Sequence, residues 1–147
     1  MRFDLIFFVG IVILLIFLYF KKSPAKYTNV KIGNTVIKAE IADTHLKRII
    51  GLMTRKYLPE NQGTLFVFDQ DGFHTIWMMN MSFPIDIIWI DNEKNVVDVV
   101  KNAQPCKLNC PIYRPKQKAK YILEVNANFT EEYKIKIGLP LEFNLPR

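Results

Sequence analysis

A chain of 147 residues, half of it hydrophobic, has the length of one ordinary domain with a real core plus an appendage. Its net charge of +6 suits an anionic membrane surface or an acidic partner, but no tight basic cluster with interleaved aromatics is present, so a nucleic-acid partner is not expected. Two cysteines are too few for a disulfide scaffold.

Leu5 to Phe20 is an unbroken apolar run apart from Gly10. It has about 16 residues, slightly under the ~20 of a full span. Phe3 and the Tyr19-Phe20 pair extend it, and Lys21-Lys22 snorkel at its end. Residues 1–22 therefore read as a single-pass transmembrane anchor, 23–29 as a linker and 30–147 as one β-rich domain. A cleaved signal peptide fits less well, because the positive start is weak and no Ala-x-Ala site follows. Arg2 on one flank against Lys21, Lys22 and Lys26 on the other points the domain to the cytoplasm. A hydrophobic anchor ahead of a small β domain, and the nearby cysteine pair, point outside. The extracytoplasmic side is the reading adopted.

Val30–Ile32 and Thr35–Ile41 alternate around Gly33-Asn34, a two-residue hairpin signal, with Ile37, Ala39 and Ile41 on the buried face. Asp43 or Thr44 caps a short helix to Ile50, with Leu46, Ile49 and Ile50 as its apolar stripe and Gly51 past its end. Residues 52–62 read as loop. Thr64–Phe68 is an apolar strand covered on both faces. Residues 73–91 hold both tryptophans and three of the five methionines, and read as two strands hinged at Pro84. Val96–Val100 returns as a hairpin partner of Ile85–Asp91. A Pro- and Cys-containing loop follows, then a strand at Tyr121–Asn126, one helical turn near Phe129 and a last short strand at Leu141–Phe143. About seven or eight short strands without βαβ alternation predict a mainly β domain, an antiparallel sandwich or barrel with one or two short helices.

Five motifs occur in order: Gly51-Leu52-Met53-x-Arg55; Gly63-x-Leu65-Phe66-x-Phe68; Trp77-Met78-x-Asn80-x-x-x-Pro84-Ile85-Asp86-Ile87; Pro105-Cys106…Cys110-Pro111-x-Tyr113; and Leu123-Glu124-Val125-Asn126-Ala127. In these the chain resembles the family known as domain of unknown function 192, from about residue 28 to 145. The resemblance implies a compact, jelly-roll-like β domain, often behind an N-terminal signal or anchor. It implies no activity. Asn128 stands where the family often has glycine, and asparagine tolerates the left-handed region.

Alternation puts Phe73, Thr75, Trp77, Met79 and Met81 on one face of the central stretch, and His74, Ile76, Met78 and Asn80 on the other. One reading makes these aromatics core. The other makes an aromatic and methionine surface with Asn80 and Asp86 as polar anchors, the composition of a small-molecule pocket. Asp86 and Glu124 are acids inside apolar runs, and a buried carboxylate needs a partner. Arg55 and Asn80 are the candidates. The candidate ligand-binding set is thus Trp77, Asn80, Asp86, Glu124 and Arg55.

Cys106 and Cys110 form a candidate local disulfide if the domain is exported. Reduced thiols, a redox pair and a zinc site completed by His45 and His74 are the alternatives. Of two sequons, Asn80-Met81-Ser82 falls in the presumed core, which leaves Asn128-Phe129-Thr130. No phosphate-cradling loop, nucleophile elbow or zinc-protease motif occurs. Taken together the sequence predicts a membrane-tethered, non-enzymatic binding or structural module at the cell envelope. Its ligand is a small molecule, glycan or peptide, with no cofactor and no metal. The alternative is an envelope hydrolase whose acid and base are Asp86 and Glu124.

Overall fold

Period-two alternation builds most of the domain. The computed structural model describes residues 8–11, which are helical, and 25–146. Strands β1 (Tyr27–Ile32) and β2 (Thr35–Ala42) pair antiparallel around Gly33, whose φ of 55° makes the tight turn. Helix α1 (His45–Ile50) follows. The Thr44 hydroxyl accepts the Lys47 N–H at its start, and Gly51 ends it at a φ of 45°. Then come β3 (Gln62–Gly72), β4 (Ile76–Trp77), β5 (Ile85–Ile90), β6 (Val96–Ala103), β7 (Ile112–Tyr113), β8 (Ala119–Asn126), helix α2 (Phe129–Glu132) and β9 (Leu141–Glu142).

Seven strands form one sheet in the order β6-β5-β8-β3-β2-β1-β9, while β4 and β7 make a separate two-stranded ribbon. The sheet curls into a half-barrel. Its ends approach where the Val96 N–H donates to the Leu139 carbonyl and the Leu141 N–H to the Lys94 carbonyl, 3.0 and 2.8 Å. Residues from both ends, Val30, Ile32, Leu141 and Phe143 with Ile88, Ile90 and Val96, share the inner core. The outer face carries a second core, in which Phe66, Ile85, Ile87, Trp89 and Ile122 pack under Leu52, Leu58, Ile76 and Met78.

Three expectations change. The sheet is mixed, not antiparallel throughout: β2 and β3 pair in parallel, Lys38 opposite Gln62 through Ala42 opposite Phe66, because the chain between them crosses over through α1. No second full sheet completes a sandwich; the small ribbon and the 52–58 loop cover the outer face instead. The stripe of α1 is not core, since Leu46, Ile49 and Ile50 are all exposed. The anchor expected at Leu5–Phe20 lies outside the described residues apart from 8–11, and among the described residues no helix is long and apolar enough to cross a membrane.

Close strand packing is sharpest at Gly63. A Cβ there meets the Glu124 carbonyl oxygen at 2.7 Å and Ile37 Cγ2 at 3.1 Å. Gly63→Ala is expected to destabilise the fold by about 2 kcal/mol, because backbone has to move. A urea midpoint within error of the unsubstituted protein refutes that.

Candidate functional site

Strand β8 is central, between β5 and β3, and its side chains alternate between the two cores. Leu123 and Val125 point into the inner core, and Ile122 joins the outer one. Glu124, two residues beyond Ile122, therefore faces outward, opposite Ile87 on β5 and Thr64 on β3. It is 5% exposed. Among the described residues no hydrogen bond or ion pair reaches its carboxyl group.

The cover over Glu124 is incomplete. Gly51, at the end of α1, carries no side chain, and a Cβ there stands 3.7 Å from Glu124 Oε2 and 3.1 Å from Phe66 Cζ. The gap is a cavity of about 60 Å³ lined by Gly51, Met53, Phe66, Thr75, Trp77 and Met81, with Glu124 in its wall. Burial pushes the Glu124 carboxyl up to about 8, so at neutral pH it carries its proton. Arg48 also borders the cavity, yet its guanidinium donates to the Asp43 and Val67 carbonyls at 3.0 and 2.8 Å and packs over the Phe68 ring. It does not neutralise the acid.

Trp77 is 49% exposed and stands at the cavity rim, not in the core. Its ribbon is held down from the other side. Cys106 and Cys110 are joined in a disulfide with Cα atoms 5.6 Å apart. Cys106 N–H donates to the Met78 carbonyl at 3.1 Å, and Asn80 N–H donates to the Cys106 carbonyl at 3.0 Å. Asn80 itself is an exposed turn residue with a φ of 58°, so its sequon is on the surface, contrary to the core position expected for it.

Asp86 is elsewhere. It is fully buried and sits opposite Val125, so its side chain leaves β5 on the inner side, with Ile88 and Ile90. Oδ1 accepts the Asn102 and Asn128 N–H groups at 2.8 and 3.3 Å. Oδ2 accepts the Thr130 N–H and hydroxyl at 2.8 and 2.6 Å. This carboxylate pins two loops and offers nothing to a ligand. Arg55 is paired with Glu40 on β2 and reaches neither acid. Asp86 and Glu124 thus lie on opposite faces of one sheet, and the two do not form the carboxylate pair expected of them. Among the described residues there is no cluster of three or more His, Cys, Asp or Glu side chains.

Of the five candidate residues, then, the structure brings together Trp77 and Glu124 and separates the others. Gly51, Met53, Thr75 and Met81 complete the cavity without having been singled out as site residues. Gly51-Leu52-Met53 was visible as a motif, but nothing local ties it to β8. A second, open groove at the β1–β9 edge is lined by polar groups such as Thr28, Asn29 and Lys94. Thr28 and Lys94 already donate to the Asn144 and Phe143 carbonyls there.

A curled β half-barrel with one acid buried beneath a gap in its outer cover defines a small β domain with a pocket and no hydrolytic pair. The DUF192 family model, described as an uncharacterized ACR, matches residues 28–143, and the chain belongs to that family. A UPF0127 protein of Pyrococcus abyssi is 34% identical over 108 residues, 72% of this chain and 86% of its own length. A UPF0127 protein of Thermococcus kodakarensis is 39% identical over 89 residues, 59% of this chain, and the match spans 52% of that relative. The fold is similar to the crystal structure of a protein of unknown function from Novosphingobium aromaticivorans, with a TM-score of 0.70 and 26% identity over 80% of this chain and 84% of that one.

Proposed function

We propose that this protein is a membrane-tethered, non-enzymatic binding module whose ligand site is the Glu124 cavity. The observation that carries the reading is an acid in an apolar wall that no group among the described residues hydrogen-bonds or pairs with, opening onto a gap beside a half-exposed tryptophan. A ligand that pairs with this acid supplies a partner that the described residues do not. The lining is apolar and aromatic with few polar groups, which is the usual composition of a small-molecule site. A cavity of about 60 Å³ takes only the end of a ligand, so the rest lies over the Trp77 rim.

Thermal shift of the protein against a fragment library tests this. Binders are expected to stabilise the unsubstituted protein and to lose that effect in Trp77→Ala, which removes a half-exposed ring without opening the core. Binders that stabilise both proteins equally place the site elsewhere and sink the reading.

The tether rests on the apolar run Leu5–Phe20 and the lysines after it. The disulfide favours the extracytoplasmic side. The full chain should stay in the membrane pellet through a carbonate wash; release into the supernatant rules the tether out.

A further inference from the structure

We infer that the cavity beside Glu124 takes a primary alkylammonium group, ion-paired to the Glu124 carboxylate with its alkyl chain along the Trp77 indole. The inference rests on the preceding reading of this cavity as the ligand site, and names the chemistry it selects.

Beside aliphatic side chains, part of the lining is electron-rich. It offers the Trp77 and Phe66 rings, the Met53 and Met81 thioethers and the Thr75 hydroxyl around one carboxyl group. Indole faces and thioethers favour a cation or its adjacent methylenes over an anion. The charged groups that face the acid are few. Arg48 on α1 is the charged side chain at the border, and it is turned to the Asp43 and Val67 carbonyls. Around the acid stand Thr64 and Phe66 from β3, Ile87 from β5, Ile76 and Trp77 from β4, Ile49 and Ile50 from α1, and Gly51, Leu52, Met53, Thr75 and Met81 from the loops, none of which is charged. Among the described residues no cation therefore satisfies Glu124, and an incoming one does.

Size sets the class of cation. About 60 Å³ is roughly two water molecules' share of liquid volume. That admits an ammonium and its first methylene. A small head group fits it better than a quaternary ammonium or a guanidinium with its stem. The alkyl chain continues outward over Trp77, which is exposed to receive it.

Burial then makes the interaction pH-dependent. Glu124 has to lose its proton before it pairs with a cation, and that loss falls near pH 8. An alkylammonium stays charged to about pH 10. Apparent affinity scales with the ionised fraction of Glu124, so it should rise roughly tenfold per pH unit from 6 to 8 and level off above that.

The test is calorimetric titration of the full protein with n-butylammonium, with n-butanol and tetramethylammonium as comparators, at pH 6, 7, 8 and 9. Expected are saturable amine binding that strengthens with pH, about one proton released per amine bound at pH 7 by the buffer dependence of the heat, and no binding of either comparator. Nα-acetyl-lysinamide run in parallel separates a lysine side chain from a free amine as the source. Glu124→Gln is expected to abolish amine binding while its thermal transition shows it folded. Should n-butanol bind as well as the amine, and Glu124→Gln bind both, the cation assignment is overturned while the cavity remains a ligand site. Should no probe bind at any pH, and the fragment library also find nothing that depends on Trp77, both readings fall together.

Discussion

Glu124→Gln is expected to leave stability unchanged at pH 4 and to raise it at pH 8.5 by on the order of 5 kcal/mol. The sign follows from where the proton sits. In the unfolded chain this glutamate titrates near its ordinary value of 4.5, whereas burial keeps the folded carboxyl protonated to about 8. Between those limits the folded state binds the extra proton, so stability falls as pH rises. Below the lower limit Glu124 is neutral in both states and its contribution is fully present. Above the upper limit it is charged in both states, and the folded protein bears the full cost of a charge in an apolar wall. Glutamine has nearly the same shape and never ionises, so its profile lacks this slope. Thermal melts of both proteins across pH 4 to 9 read the difference directly, with a gap of more than about 10 °C at the alkaline end. Parallel curves would mean that the carboxyl is solvated through the cavity and titrates normally. Saturating n-butylammonium should close much of the gap by stabilising the glutamate protein alone.

An acid that weakens the fold as pH rises toward 8 is a poor structural choice, and that contrast with Asp86 is the strongest reason to look for a ligand at Glu124. In the sequence the two acids look alike. Each sits in an apolar strand, and each needs a partner. What separates them is register. Asp86 stands opposite Val125, not opposite Glu124, and that offset of one residue sends the two side chains to opposite faces of the sheet. No local pattern carries that information, because it depends on how β5 and β8 align across the 28 residues between them. The pairing of Arg55 with Glu40 is hidden for the same reason.

The hairpins were legible because they are local. Gly33-Asn34 and the 92–95 turn each bring back an alternating strand directly, and both pairings stand as read. The parallel pairing of β2 with β3 was not legible, since its crossover holds only the six-residue α1 and no long helical pattern announces it. The stripe on α1 misled because the outer core is built from the 52–58 loop and the β4–β7 ribbon, and Leu46, Ile49 and Ile50 are not part of it. In residues 75–78 the alternation was right, with Ile76 and Met78 inward and Thr75 and Trp77 outward, but Asn80, expected on the inward face, is an exposed turn residue. The length of the strand was not right, because β4 pairs with only two residues of β7. Trp77 was therefore visible as a surface candidate but not as the rim of a cavity whose floor lies on β8.

Asp86→Ala is expected to cost about 4 kcal/mol and to lower the melting temperature by roughly 15 °C. The carboxylate accepts from Asn102, Asn128 and Thr130, which joins the end of β6 and the start of α2 to β5. Truncation leaves the Thr130 amide without a partner inside the protein, and such a group keeps its full desolvation penalty. Asn128 then matters more than its exposure suggests. Its φ of 72° is what aims its own N–H and the following turn at Asp86, so the left-handed conformation that glycine usually supplies is here held by an asparagine. Thr130→Val removes the hydroxyl bond alone and should cost about 1.5 kcal/mol. Asp86→Asn should fall between the two, because its NH2 group cannot accept the Thr130 pair. Hydrogen exchange at the Thr130 and Asn102 amides should accelerate in Asp86→Asn even where the fold persists. Ligand affinity at the Glu124 cavity should stay unchanged in that variant, since the two carboxyl groups face opposite sides of the sheet. Loss of binding with stability intact would reverse the roles assigned to the two acids.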